Sequence, residues 1–373
     1  MLGKLTCYAT KLGIFLTVAA LIAGMAGCGD GGYNPPPSKN LEIRTWYDLD
    51  AVRDNLAGNH TLLNDLNSTT PGYEELASPT ANAGKGWEPV GRSIGGHGPI
   101  FTGTFDGQGH EIRDLFISRP DEDAVGLFGD VGQEGVIENI GVVNVTVTGR
   151  YSVGALAAGV EGTLGRSYSS GSIAGDRGVG GLVGDNFGTV SNSYSTGSIT
   201  GDYFVGGLVG LKEAASVSNS YSTGNVTGNS CVGGLVGANL VGPNEESGVT
   251  NSYSTGDVTG NVAVGGLVGD NQVDGDVSNS HSTGSVTGVD NVGGLVGLNE
   301  EGTVSNSFWD TETSGQASSD GGTGKNTTEM QDIATFTGAG WNIIGVANPG
   351  TRNPVYIWNI VDGVTYPFLS WQV

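Results

Sequence analysis

The sequence predicts an all-β chain wound as a right-handed parallel β-helix (a β-solenoid), with a short helical N-terminal cap and a helix-plus-hairpin C-terminal cap. Three observations carry this. The string Val-Gly-Gly-Leu-Val-Gly at 179–184 returns at 205–210, 232–237, 264–269 and 292–297, after a degenerate copy at 153–159. A second refrain, Asn-Ser-Tyr-Ser-Thr-Gly at 192–197, is echoed from Asn219, Asn251, Asn279 and Asn306. The spacing is rigid in two stretches: seven positions follow each opening Val without change, and thirteen separate each refrain Asn from the next Val. Only the stretch between them varies, from six positions (Asn186 to Asn192) to twelve (Asn239 to Asn251). Such a unit buries its apolar side only against the next copy, and insertions collect in turns on one face.

The chain divides, in order, into a signal peptide (1–27), an acylated Cys28 with a tether (28–40), an N-terminal cap and first coil (41–124), the repeats (125–310) and a C-terminal cap (311–373). Lys4 and Lys11 precede an apolar run from Leu12 to Ala26, which ends at Met25-Ala-Gly-Cys28. A charged start, a short apolar core and small residues before a Cys resemble a bacterial lipobox, which makes Cys28 the expected lipidation site. By resemblance to sorted lipoproteins, Gly29 after that Cys implies the outer membrane in a cell with two membranes. The tract 29–39 carries Gly31-Gly32 and Pro35-Pro36-Pro37, a flexible-to-extended tether. Within 41–58, Thr45 and Asp48 form a capping box for a helix whose Leu49, Val52 and Leu56 share one face. Strands are expected over 60–66, 101–105 and 111–117, with a turn at Asp106-Gly107-Gln108-Gly109.

In the repeats, β-branched residues alternate with small polar ones and Gly punctuates them, which gives about three short strands per coil. Parallel crossovers are right-handed by default. Stacking would place Asn192, Asn219, Asn251, Asn279 and Asn306 in an amide ladder. Tyr168, Tyr194, Tyr221, Tyr253, His281 and Phe308 would form an aromatic column beside it, either a platform for sugars or structural filling. Cys231 occupies a position held elsewhere by Gly178, Phe204, Ala263 and Asn291 and is read as filler. After the repeats come a Gly/Ser/Thr loop (314–326), a helix (328–336) and a hairpin that turns at Asp362-Gly363.

At these residues the chain resembles the GLUG-motif family of bacterial surface proteins, named for the Gly-Leu-apolar-Gly core seen at 181–184 and its copies. The likeness runs from about Phe101 to Val373 and includes Phe105-Asp-Gly-Gln-Gly109, Gly126-Leu-Phe-Gly129 and Phe308-Trp-Asp310. Such repeats occur in adhesin-like proteins and as a module in some streptococcal immunoglobulin-cleaving metallopeptidases. The resemblance implies an exported, interaction-type protein, and the family supplies no shared catalytic residues.

The formal charge is −23, and loss of Lys4 and Lys11 with the signal makes it −25. Nucleic acid and anionic lipid surfaces are therefore poor partners, and the membrane is expected to be met through the lipid anchor alone. Three motif fragments fail: His110-Glu-Ile-Arg-Asp114 lacks the second His of a zincin helix, Gly321-Gly-Thr-Gly-Lys325 lacks the opening Gly of a phosphate loop, and Asp270-Asn-Gln-Val-Asp-Gly275 carries Gln272 and His281 at calcium-ligand positions. Carboxylates for a glycosidase exist in Asp257, Asp274 and Asp276, yet acidic turns are ordinary in such a chain. The expectation is a non-enzymatic, monomeric adhesion or scaffold protein of the bacterial cell envelope, without cofactor or metal, that meets a cell-surface or matrix protein or a neutral glycan. The alternative is a glycan-active or glycan-binding β-helix. The longest turn, with Leu240, Pro243, Asn244, Glu245 and Glu246, is the candidate binding loop, since loops on a rigid scaffold concentrate recognition.

Overall fold

The computed structural model describes residues 40–93, 97–240 and 248–372. Cys28, Pro243, Asn244, Glu245 and Glu246 lie outside the described residues. Coils stack as a parallel β-solenoid of about seven turns. One turn shows the path. Val183–Asn186 joins a seven-stranded first sheet and Thr189–Ser191 a ten-stranded second sheet. Tyr194–Ser195 and Ser198–Thr200 belong to a fourteen-stranded third sheet, and Tyr203–Gly206 to a six-stranded fourth sheet. Pairing between coils is parallel and in sequence register: Val183 faces Val209, Val190 faces Val217, Tyr194 faces Tyr221 and Val205 faces Val232.

The coil thus has four sheets, where the sequence suggested about three strands. The reason lies in the Gly-Gly-Leu core, which forms a corner between the fourth and first sheets. A Cβ on Gly206 would lie 1.9 Å from the Val209 carbonyl oxygen, so only glycine lets the two backbones close this bend. Inside, Leu182, Leu208, Leu235, Leu267 and Leu295 stack fully buried, beside columns of Val from each sheet. Residues of the same type at successive levels pack against one another in columns.

The refrain asparagines do not form the expected ladder. Asn192, Asn219, Asn251, Asn279 and Asn306 all hold φ between 46° and 49°. They turn the corner into the third sheet in the left-handed conformation, which Asn tolerates better than other non-glycine residues. The ladder is made by the serines that follow. The Ser193 amide donates to Ser220 Oγ at 3.2 Å, Ser220 to Ser252 at 3.1 Å and Ser252 to Ser280 at 3.1 Å. Each hydroxyl in turn donates to the carbonyl two residues back, as Ser193 does to Ser191 at 2.7 Å.

At the N-terminal end Thr45 caps the helix Trp46–Asp50 through the expected capping box. The helix passes into a 3-10 turn, Ala51–Asp54, and stops short of 58. Strands Leu41–Ile43, Asn59–Leu62 and Thr104–Asp106 already belong to the second sheet. Trp46, Trp87, Phe101, Phe105 and Phe128 plug this end; Trp46 and Trp87 lie 5.8 Å apart and Phe105 meets Phe128 edge-on at 5.2 Å. At the far end Trp309 occupies the level above Ser282 and covers Gly294, and Thr323–Lys325 adds a strand beyond it. The remaining chain does not simply close the end. Helices Thr327–Met330 and Ile333–Gly338 lead into a three-stranded sheet of Ile343–Gly345, Trp358–Ile360 and Phe368–Leu369. The last two strands are the expected antiparallel pair. This unit folds back along the side of the solenoid, and Trp371 Nε1 donates to the Asn219 carbonyl at 3.1 Å, several coils from the end.

Candidate functional site

The aromatic column forms over five of its six expected members; Phe308, in register with His281, packs instead edge-on against Phe336 at 5.5 Å and against Trp341 at 6.0 Å. Tyr168, Tyr194, Tyr221, Tyr253 and His281 stack with centroids 4.7–5.0 Å apart and planes within 6° of parallel. That geometry decides its use. Each ring face lies on the ring of the next coil, and Tyr168 lies on Gly141, where a Cβ would come within 2.5 Å of the ring. A sugar stacks on a ring face, whereas this column offers only edges and hydroxyls. The C-terminal unit then covers most of it. Trp358 packs against Tyr253 and His281 at 6.0 and 5.4 Å, and Trp371 against Tyr221 at 5.8 Å. What stays open is a cavity of about 400 Å³ at the first two tyrosines, lined by Arg166, Asn192, Tyr168, Tyr194 and Trp371. Even there the Tyr168 hydroxyl donates to the Glu111 carboxylate, and Arg166 is engaged by Asn139 at 2.7 Å. The column is structural.

His281 shows what burial in that column costs. It is fully buried, neither ring nitrogen has a partner, and desolvation lowers its pKa from 6.5 to about 3. A folded-state pKa below the unfolded one means that the unfolded chain binds the proton more readily. The stability contributed by neutral His281 is therefore complete above pH 6.5 and falls as pH drops toward 3. His281→Phe, which copies Phe308 one coil on, should be about 2 kcal/mol more stable than the wild type at pH 5 relative to pH 7. Thermal unfolding of both proteins at the two pH values measures this; an equal pH response would exclude a buried neutral imidazole.

Two features escaped the sequence reading. The first is a face of the third sheet. Ser198 and Thr200, Asn225 and Thr227, Asp257 and Thr259, and Ser285 and Thr287 are exposed on either side of buried Ile199, Val226, Val258 and Val286. Parallel register places Thr200, Thr227, Thr259 and Thr287 in one file, with neighbours about 4.8 Å apart. The Asp257 amide donates to Asn225 Oδ1 at 3.1 Å and Ser285 to Asp257 Oδ1 at 3.2 Å, which fixes the other file. The polar-Val/Ile-Thr triplet after each refrain was the available signal.

The second feature is a pair of carboxyl groups in the first sheet. Asp130, Gly159 and Asp185 follow one another in register, so two acids flank a residue without a side chain. Burial raises Asp130 to about 6 and Asp185 to about 7, against an amide donor from Ser93 and a hydroxyl from Ser152. Asp130 lines a cleft of about 290 Å³ with Glu161, Phe187 and Ile100. Of the carboxylates singled out in the sequence, Asp257 sits on the hydroxyl face, Asp276 in the second sheet and Asp274 in a turn at φ 60°. They do not share a cleft. Asp270, the first residue of the calcium-like fragment, is buried and accepts from Gln272 at 2.7 Å. Among the described residues no three His, Cys, Asp or Glu side chains converge as a metal site would require. Leu240 ends the strand Val236–Leu240 and packs with Phe204, Cys231 and Ala238 outside the main core.

Comparison with known proteins agrees with this architecture. Residues 175–200, 203–227, 228–259 and 260–287 match the family model described as the GLUG motif. Halomucin of Haloquadratum walsbyi is 36% identical over 145 residues, which is 38% of this chain and 2% of halomucin. A candidate Gly-rich membrane protein of Evansella cellulosilytica is 34% identical over 127 residues, 33% of this chain and 13% of that protein. The chain therefore spans a small part of the curated relatives that it matches. The crystal structure of a candidate immunoglobulin A1 protease from Bacteroides ovatus superposes with a TM-score of 0.50 at 21% identity, covering 91% of this chain and 95% of that one. At that identity the likeness concerns the fold alone.

Proposed function

We propose that this GLUG-repeat chain is an exported, non-enzymatic adhesion or scaffold protein, tethered to the bacterial cell envelope through a lipid on Cys28, that presents its solenoid to a surface protein or a neutral glycan. The names of its relatives, a mucin-like name and a membrane protein, support an envelope location. The observation that carries the reading is the hydroxyl face. Its files repeat one polar group per coil at a fixed spacing, on strands paired in register from coil to coil. Each hydroxyl both donates and accepts, so the face suits an extended polar ligand engaged by many weak contacts. The strongly acidic chain repels polyanions, which leaves neutral glycans and proteins as partners.

Immobilised neutral polysaccharides and matrix proteins, probed with the purified chain while reducing ends are followed in the same wells, test this reading. Retention without new reducing ends is expected. The Asp130–Gly159–Asp185 arrangement favours a second reading, a glycan-active site, because two acids with raised pKa values suit general acid–base work. Turnover that disappears in both Asp130→Asn and Asp185→Asn would replace the first reading with the second.

A further inference from the structure

Near its C-terminal edge the first sheet carries, in five successive coils, Asn186, Lys212, Asn239, Asn271 and Asn299, all in register. The asparagines are where an amide ladder is found. Asn239 Nδ2 donates to Asn271 Oδ1 at 2.6 Å, and Asn271 Nδ2 to Asn299 Oδ1 at 2.8 Å. Asn239 and Asn271 thus give their nitrogens to the following coil, and the oxygens of Asn271 and Asn299 accept from the preceding one. For Asn239 the preceding coil holds Lys212, the one residue that breaks the series. Both side chains are fully buried, and neither Lys212 Nζ nor Asn239 Oδ1 has a hydrogen-bond partner. A charged ammonium without a partner is costly there, and desolvation lowers the Lys212 pKa to about 8. A neutral amine, unlike an ammonium, carries a lone pair and is a nucleophile.

A carboxyl group stands nearby. Asp276 is the charge that acts on Lys212. Its side chain leans over Gly248 in the adjoining coil, where a Cβ would lie 3.3 Å from Asp276 Oδ2. The absence of a side chain at 248 leaves the path toward the coil of Lys212 open. Asn239 Nδ2 also donates to the Asp276 carbonyl at 3.3 Å, which holds the amide nitrogen beside the same residue.

We propose that Lys212 and Asn239 join in an isopeptide bond between adjacent coils, formed by the chain itself with Asp276 as the proton carrier. The Nζ lone pair attacks Asn239 Cγ. Asp276 takes the proton that Nζ loses and passes it to Nδ2. The Cγ–Nδ2 bond then breaks and ammonia leaves. An amine and a primary amide become a secondary amide and ammonia, so no oxidant, cofactor or other reactant is needed. The bond straps together the two coils that precede the longest turn and resists unravelling there, whatever the chain binds.

Few cations make the test simple. Between Arg177 and Lys325 the sequence holds no Lys or Arg except Lys212. Trypsin acting on the denatured, reduced full chain should therefore leave one fragment, 178–325, lighter than its sequence mass by about 17 Da, because an acylated lysine is not cleaved and ammonia has gone. Two fragments, 178–212 and 213–325, would overturn the proposal, as would an uncut fragment of full mass. Asp276→Asn retains both reacting groups and should give the two fragments at full mass. Lys212→Asn completes the ladder, should fold, and should show no loss of ammonia; a 17-Da-light fragment from that variant would also overturn the assignment.

Discussion

Asp310→Ala should release the C-terminal unit from the side of the solenoid and cost about 4 kcal/mol, one of the two largest effects expected of a single substitution. The carboxylate is fully buried where the last coil meets the cap. Its Oδ1 accepts from the amides of Glu312 and Thr313 at 2.8 and 3.1 Å, and its Oδ2 from the hydroxyls of Thr327 and Tyr366, both at 2.7 Å. Four donors on four different residues lose their acceptor at once, and bonds to a charged group are each stronger than neutral ones. Asp310→Asn keeps one acceptor oxygen and lets the two hydroxyls rotate, so its loss should be about half as large. Denaturant unfolding read by tryptophan fluorescence measures both, because Trp341, Trp358 and Trp371 all lie at the docked surface. Equal losses in the two variants would show that packing, rather than the buried acceptor, holds the unit.

Leu235→Ala should cost about 3 kcal/mol. Leu235 is fully buried in the middle of the leucine stack, and its backbone bonds tie it to Leu208 on one side and Leu267 on the other. A cavity at that level is lined by the same residue type above and below, and the in-register strands prevent either neighbour from collapsing into it. The equivalent change at Leu295, next to the Gly322 that covers the last coil, should cost less, since the cap can settle. Denaturation midpoints of the two variants decide the order. A smaller loss at Leu235 than at Leu295 would contradict a uniformly packed stack.

Much of this was legible because stacking writes itself into spacing. The constant seven and thirteen fixed which residues align, and Val183 with Val209 or Tyr194 with Tyr221 follow from that count alone. The capping box of Thr45 and Asp48 was legible because it depends on four adjacent residues. Conformation was harder to read than alignment. The five refrain asparagines align as expected, but their positive φ makes them corners, and a sequence does not distinguish an Asn chosen for its backbone from one chosen for its amide. The Gly-Gly-Leu core likewise repeats as a strand would, and only the approach of Gly206 to the Val209 carbonyl shows it to be a bend. The covering of the tyrosine column by Trp358 and Trp371 depends on contacts more than a hundred residues apart in sequence, beyond the reach of any local pattern. The Asp130 and Asp185 pair lies two coils apart around a glycine, and aligning the degenerate first copies would have found it.

The repeated hydroxyl face is the proposed binding surface. Thr200, Thr227, Thr259 and Thr287 are exposed, and their side chains carry none of the core. Changing one, two and then all four to Lys should leave unfolding nearly unchanged while retention on the immobilised ligand falls in steps, since many equivalent weak contacts are removed one by one. Retention that stays at the wild-type level with all four changed would place recognition elsewhere on the solenoid.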